Sequence, residues 1–459
     1  MIKQLRIKNF KGWRDTGLIS MAPLTVFFGA NSSGKSSIGH LLLALKQTVD
    51  NPDSKAVIFP GGGNSTVQLG SLQNLIYHRD VEKKIDFEYT WNLTKPLEIT
   101  DAKNNIVYQC DAIRFSTSIG LKNQKTGEVE YFNYDLLNKE EKALSVRMEK
   151  NGAKGSYTIN AEKYSLVKNR ARQWGVGSPV RFYGFPETVV AYHQNADFVQ
   201  SLNLQHSQLF SSIFYLGPMR NSPLRLYDWF GSEPDSVGSV GENTISAILA
   251  AQNRMLNTKK GKTKKPFPEI IARQLKEMGL IEQFSVVPIT EGRQSYEVKV
   301  RTKGSVDMVD LPDVGFGVSQ VLPVLVQLFY APANSIIIME QPEIHLHPRA
   351  QAALADVMID AINSRENGKD RNIQLIIETH SEHFLRRLQR RIAEDTITND
   401  HFAAYFANID TKPTKLEALQ VDRYGNIANW PKNFFGDEMS DIVAQSNAAI
   451  QKRMKENGV

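Results

Sequence analysis

The octet Gly29-Ala30-Asn31-Ser32-Ser33-Gly34-Lys35-Ser36 fits the pattern G-x-x-x-x-G-K-[ST], and its flanks decide what that pattern means. An apolar run, Leu24 to Phe28, leads into it, and an amphipathic run, Ile38 to Leu45, leaves it. The order is strand, loop, helix. Such a loop works through main-chain N–H groups that wrap phosphates at a helix N-terminus, where unpaired donors and the positive dipole end favour an anion. Gly29 and Gly34 let the backbone come close, Lys35 neutralises the β and γ phosphates of ATP, and the Ser36 hydroxyl is placed to ligate Mg²⁺. Ala30, Asn31, Ser32, Ser33 and Ser37 complete the expected cradle.

Working outward, 459 residues exceed a single ordinary domain, so two or three packed units are expected. The lone Cys110 excludes an internal disulfide framework and agrees with a reducing cytoplasm. The stretch Met1 to Phe10 carries Lys3, Arg6 and Lys8 among its apolar residues and reads as a first strand, not a signal peptide. The apolar run Ser319 to Tyr330 is too short to span a bilayer. A net charge of +6 permits nucleic-acid contact without requiring it. The basic residues cluster in two places: Lys259, Lys260, Lys262, Lys264 and Lys265, and Arg386, Arg387, Arg390 and Arg391. The second set shares one helix face and is a candidate phosphate or acidic-partner surface.

From Ile85 to about Val167 the pattern turns β-rich, with polar turns between Ile85–Trp91, Val107–Phe115, Val129–Asn133, Leu144–Met148 and Ser156–Ile159. An antiparallel insertion is the natural reading. Pro186 to Phe214 reads as mainly helical, and Thr258 to Pro266, without apolar anchors, as mobile. Gln68 and Gln73 are candidates for reaching the metal or the attacking water. Arg220, in Y-L-G-P-M-R, either aims at phosphate or pins the insertion to the main sheet.

The second informative region begins at Asp313 to Gln320, D-V-G-F-G-V-S-Q, where glycines precede an apolar helix and create another anion-binding end through Gly317, Ser319 and Gln320. Ile336 to Glu340 is a buried strand ending in an acid, the place where nucleotide enzymes hold Mg²⁺ through a carboxylate; Gln341, Pro342 and Glu343 follow. Beyond a helix from Ala350 to Ile362, the strand Ile373 to Ile377 ends at Glu378, Thr379 and His380, and that histidine is placed to touch a γ phosphate. Parallel strands separated by helices, with chemistry at their C-terminal ends, make an α/β sheet whose site lies on one edge.

The phosphate loop, the degenerate signature helix, E-Q-P-E-I-H-L-H-P and then E-T-H-S resemble the ABC-type ATPases grouped with RecF, SMC and the overcoming-lysogenization-defect family. The ends, I-x-x-L-R-I-K-N-F-K from Ile2 and N-W-P-x-x-F-F from Asn429 to Phe435, resemble bacterial stand-alone AAA ATPases, and among them those of Septu-type anti-phage systems. The resemblance implies an ATPase head built from residues 1–80 and 301–459, its mixed sheet flanked by helices, with a β-rich then helical insertion and return strands over 81–300. It implies a head-to-head homodimer, within a larger homo-oligomer, in which Lys35 and Ser36 of one copy and Gly317 to Gln320 of the other close on one ATP. Glu340 becomes the Mg²⁺ acid, with Ser36, and His380 the switch histidine. It also implies a separate nuclease of HNH type as partner, since no nuclease motif stands out in this chain.

Two departures carry predictions. F-G-V-S-Q lacks the usual serine and paired glycines in register, so the contact across the dimer is expected either to be weaker or to be made by Ser319. Gln341 stands where many relatives place the glutamate that polarises water, and losing a general base costs about 10²- to 10⁴-fold, so turnover should be slow, with Glu343 as the substitute base. Glu343, His345 and His347 also invite a metal reading. The alternative functions are a RecF-like repair ATPase acting directly on DNA, through the arginine helix and lysine run, and a scaffold with a dead nucleotide site.

Overall fold

The computed structural model describes residues 1–63, 65–152, 155–169, 175–258, 263–290, 292–409, 411, 413–431, 434–435 and 438–456. The chain opens with β1 (Ile2–Phe10), β2 (Trp13–Asp15), β3 (Ile19–Ser20), β4 (Leu24–Gly29) and α1 (Lys35–Asp50). The long strands β5 (Ile85–Asp101), β6 (Ile106–Lys122), β7 (Thr126–Asn138), β8 (Glu141–Asn151) and β9 (Ser156–Glu162) follow, then α2 (Phe198–Ser211) and β10 (Ile213–Leu216). The last third holds α3 (Phe316–Tyr330), β11 (Ile336–Glu340), α4 (Pro348–Ile362), β12 (Gln374–Glu378), α5 (Glu382–Ala393), β13 (Phe402–Asn408), β14 (Lys415–Ala418) and α6 (Glu438–Glu456).

The central sheet has the order β10-β11-β12-β4-β13-β14. All pairs are parallel except the last, β13 with β14. Every residue of β4 is buried, as a parallel strand covered on both faces requires. Phe27 joins the core beneath α1, while Leu24, Val26 and Phe28 join the core shared with α3, α4 and α5. Register places Glu340 beside Glu378 and Glu378 beside Phe27, so the chemistry predicted for separate strands meets at one C-terminal edge.

The β-rich stretch is antiparallel, as expected, and its sheet is continuous with the first strands of the chain. β5 pairs antiparallel with β1, and the sheet runs β2-β1-β5-β6-β7-β8-β9. A boundary near residue 80 therefore cuts through one sheet, and β10, within the 81–300 stretch read as insertion and return strands, belongs to the central sheet. The apolar face of α1, Ile38, Leu41, Leu42 and Leu45, fills the space between the two sheets, in one core with Ile7 and Phe87 on one side and Ile338 and Ile376 on the other. The Gln374 side chain ties them further, accepting from Ile2 N at 2.9 Å and donating to Ile2 O at 2.7 Å. Within the stretch expected to be mobile, Lys265–Pro266 pairs with Met255 and Leu256, whereas Lys259, Lys260 and Lys262 lie outside the described residues. Among the described residues, no helix is long and apolar enough to cross a membrane.

Candidate nucleotide site

The phosphate loop turns between β4 and α1 with Gly29 at φ 143° and Gly34 at φ 88°, values that favour glycine. A side chain at Gly29 would stand 2.8 Å from the Ala407 carbonyl, and one at Gly34 would meet the Trp13 indole at 3.2 Å. Trp13 Nε1 also donates to Gly34 O at 2.9 Å, so the first hairpin braces the loop. Lys35 is folded under this turn: Nζ donates to Gly29 O at 3.0 Å and Ala30 O at 2.8 Å, and Glu378 Oε1 lies 3.8 Å away. Burial holds the ammonium below its ordinary pKa, opposed by Glu378.

Three acids serve different roles. Glu340 Oε1 accepts from Tyr215 OH and lies 2.9 Å from His40 Nε2. Burial pushes the Tyr215 phenol up, and Glu340 pushes it further. Burial likewise raises Glu378, partly offset by the Ser36 hydroxyl; its Oε2 has no partner. Glu343 is 7% exposed, its Oε1 accepts from His380 N at 2.8 Å, and its Oε2 is also without a partner. The predicted base thus braces the switch loop from below, with a carboxyl raised by burial and held back by Thr379, His380 N and the Arg220 charge. Its charge also acts on Lys35, opposing the effect of burial there. His380 is lowered by burial and by Lys35. Gln341 adopts φ 44° and donates its N–H to Glu378 O at 2.8 Å.

Several sequence expectations need correction. Ser319 and Gln320 do not face outward: Ser319 is 5% exposed and donates to Phe316 O at 2.8 Å, and Gln320 is 2% exposed. They sit in the second turn of α3, a helix covered on every side there, so only Gly315, Phe316 and Gly317 reach the surface. The metal reading of Glu343, His345 and His347 also fails. Glu343 points to the switch loop, His345 packs edge-on to Phe316 at 4.9 Å, and His347 caps α4. Among the described residues no group of three or more histidines, cysteines or acids is placed to hold a metal ion. A site completed by substrate phosphates needs only a carboxylate or two; the Ser36 hydroxyl bonds Glu378, whose neighbour in the sheet register is Glu340. Mg²⁺ bound there would neutralise charge on the phosphates. Gln68 is exposed and donates to Gly63 O at 3.0 Å, and Gln73 is exposed on a short helix, so neither is tied to the loop.

Each arginine of this helix has an acid partner, four guanidinium groups against three carboxylates. Arg387 and Arg391 bond Asp356, Arg390 bonds Glu394, and Arg386 bonds Glu382 while lying 4.5 Å over the Trp430 ring. Arg386 and Arg390 remain 55% and 62% exposed in these pairs.

Sequence reasoning missed His40, Tyr215 and a cavity at the first hairpin. His40 lies one helical turn after Ser36, on the same face of α1, and that spacing was a readable signal. The cavity, about 650 Å³, is lined by Lys11, Tyr77, His78, Arg79, Ile409 and Pro413 among others, and adjoins the hairpin whose Trp13 holds Gly34. Lys11 is lowered by burial, an effect that the Glu340 charge opposes.

A family model described as AAA ATPase domain matches residues 1–207 and 238–385, more than half the chain, and the protein belongs to that family. A second model, described as a protein of unknown function (DUF3696), matches residues 397–445. No curated protein matches the chain. Solved structures that align with it include the SMC head domain from Thermotoga maritima, at 13% identity and TM-score 0.39, over 92% of this chain and 99% of that one. An SmcHead bound to the C-winged helix domain of ScpA aligns at 12% identity and TM-score 0.42, over 92% and 98%. A third, the Smc head domain with an extended coiled coil bound to a ScpA C-terminal domain derived from Pyrococcus furiosus, gives 11% and 0.42, over 91% and 96%.

Proposed function

We propose that this chain is a nucleotide-gated ATPase subunit of a bacterial anti-phage complex, of the Septu type represented by PtuA, in which Mg-ATP held between paired heads controls a separate HNH nuclease. The observation that carries the nucleotide reading is the convergence, on one sheet edge, of Lys35, Ser36, Glu340, Glu378 and His380. The finer, Septu-type reading rests on the length and overall pattern of the chain; the aromatic tail shared with stand-alone AAA ATPases packs on the sheet, Phe434 and Phe435 lying edge-on to Phe28 at 5.4 and 6.0 Å, in the strand that carries the loop.

In this reading the residues divide the work. The loop amides and Lys35 bind phosphate, and Ser36 with Glu340 holds the cation. His40 and Tyr215 fix the Glu340 carboxylate, and the Gly315 to Gly317 helix start meets the nucleotide of the second copy through main-chain N–H groups. Gln341 orients water without removing its proton, and Glu343 is the base that remains within reach. The test is Mg-ATP binding by the wild type and Lys35→Ala, followed by phage challenge of cells carrying each chain with the neighbouring gene. Equal ATP affinity defeats the nucleotide reading; lost binding with unchanged protection, or a neighbour that is no HNH protein, defeats the defence reading. Direct DNA action in the manner of RecF requires free basic residues, and the pairing of Arg386, Arg387, Arg390 and Arg391 speaks against it.

A further inference from the structure

Arg220 follows β10, and the chain around it is pinned twice: Gly217 N donates to Ser239 O at 2.8 Å and Asn221 N to Val240 O at 2.9 Å. Between these pins the side chain is driven inward until only 9% of the residue is exposed. Its Nη2 donates to the main-chain oxygens of Glu340 at 3.4 Å and Gln341 at 3.3 Å, while Nε and Nη1 have no partner. A buried guanidinium with idle donors is costly, and a packed aliphatic side chain would fill the same space more cheaply.

What it holds is a strained turn. Gln341 at φ 44° occupies the left-handed region, which a non-glycine residue keeps only when its surroundings impose it. Its N–H is fixed by Glu378 O, and its carbonyl receives both Ile344 N at 3.1 Å and the Arg220 guanidinium. This turn carries Glu340 on one side and Glu343 on the other. The charged neighbours of the turn are Lys35 from α1, His380 and Glu378 from the end of β12, and Arg220 itself. Burial brings the guanidinium down to about 10, against the attraction of Glu343.

We propose that Arg220 is a positioning residue for hydrolysis, which holds the Glu340–Gln341 peptide in its left-handed turn and thereby sets where Gln341 and Glu343 stand against the phosphate loop. The inference rests on the ATPase reading above. Arg220→Met keeps the volume and removes every donor, whereas Arg220→Lys keeps the charge but not the planar fork that reaches two carbonyls.

The experiment uses the full chain, with ATP binding by calorimetry in Mg²⁺ and hydrolysis followed through single turnovers. Both variants should bind ATP within about threefold of wild type, while the hydrolysis rate falls about 10- to 100-fold for Arg220→Met, the effect of small misplacement in a site, and less for Arg220→Lys. Combined with Glu343→Gln, Arg220→Met should be no slower than the slower single variant, because both act through one turn. A rate within twofold of wild type, or losses that multiply in the double variant, overturns the proposal. Should Arg220→Met not fold, Arg220→Lys carries the same comparison. A wild type that does not bind ATP defeats the ATPase reading and this inference together; one that hydrolyses ATP with Arg220→Met silent defeats this inference alone.

Discussion

Lys35 Nζ stands 3.8 Å from Glu378 Oε1, their side chains only 3% and 11% exposed, close enough to attract and too far to share a hydrogen. The ammonium spends its hydrogens on the Gly29 and Ala30 carbonyls, bonds that a triphosphate is suited to replace. Lys35→Ala should weaken ATP binding about 100-fold or more, the loss of roughly 3 kcal/mol from charge-assisted contacts in a shielded site. Calorimetry on the purified chain reads this directly, and a change under threefold refutes it.

Gln341 sits between two acids and offers no proton acceptor. Gln341→Glu should raise the hydrolysis rate by about 10²-fold, the lower part of the range a positioned general base supplies. Phosphate release under saturating Mg-ATP measures it. No gain would mean that the turn does not bring position 341 to the water.

The inward rotation of Ser319 separates two substitutions that sequence alone would have ranked the other way. Ser319→Ala loses only a bond to its own turn, so ATP-dependent pairing of heads should stay within about twofold. Gly317→Ala places a methyl group 3.0 Å from the His345 carbonyl and should cost about 1–3 kcal/mol by overpacking. Sedimentation with ATP and chemical denaturation report the two effects separately.

His206, fully buried, lies among aromatic rings and is stacked on Tyr183 at 4.2 Å. Tyr134 OH donates to Tyr183 O, so it accepts from His206 Nδ1–H, which leaves Nε2 to accept from Tyr89 OH. This neutral ring is held well below its ordinary pKa by burial. The unfolded chain gains a proton below about pH 6.5 and the folded one does not, so stability should fall as pH drops from that value, by up to about 1.4 kcal/mol per pH unit from this group. His206→Asn should flatten the slope in urea titrations between pH 7 and 5. His193 and His380, also lowered by burial, add slopes of the same sign.

Much of the central sheet was legible because its strands leave local marks: unbroken apolar runs that end in glycine or in an acid. The loop, Glu340, Glu378 and His380 could be lined up by order alone, since parallel strands bring their C-terminal ends to one edge. The pairing of β1 with β5 was not legible, because contact across so many residues leaves no trace in either strand. The orientation of Ser319 was hidden for another reason: α3 is apolar around most of its girth, and a helix buried on all sides has no phase to read. The pairing of the arginines was half legible. Glu382 and Glu394 stand four residues from Arg386 and Arg390, a visible spacing, but Asp356 comes from a different helix.

The partners of β4 carry a cost for synthesis. Leu24 pairs with Leu375 and Phe402, so the strand bearing the phosphate loop leaves the ribosome long before either neighbour exists. At ordinary elongation rates the gap of about 350 residues lasts roughly 20 to 70 s. Throughout that interval the sticky segment Leu24–Phe28 has no sheet to join, which makes it the natural target for a holding chaperone and the first place for nascent chains to aggregate.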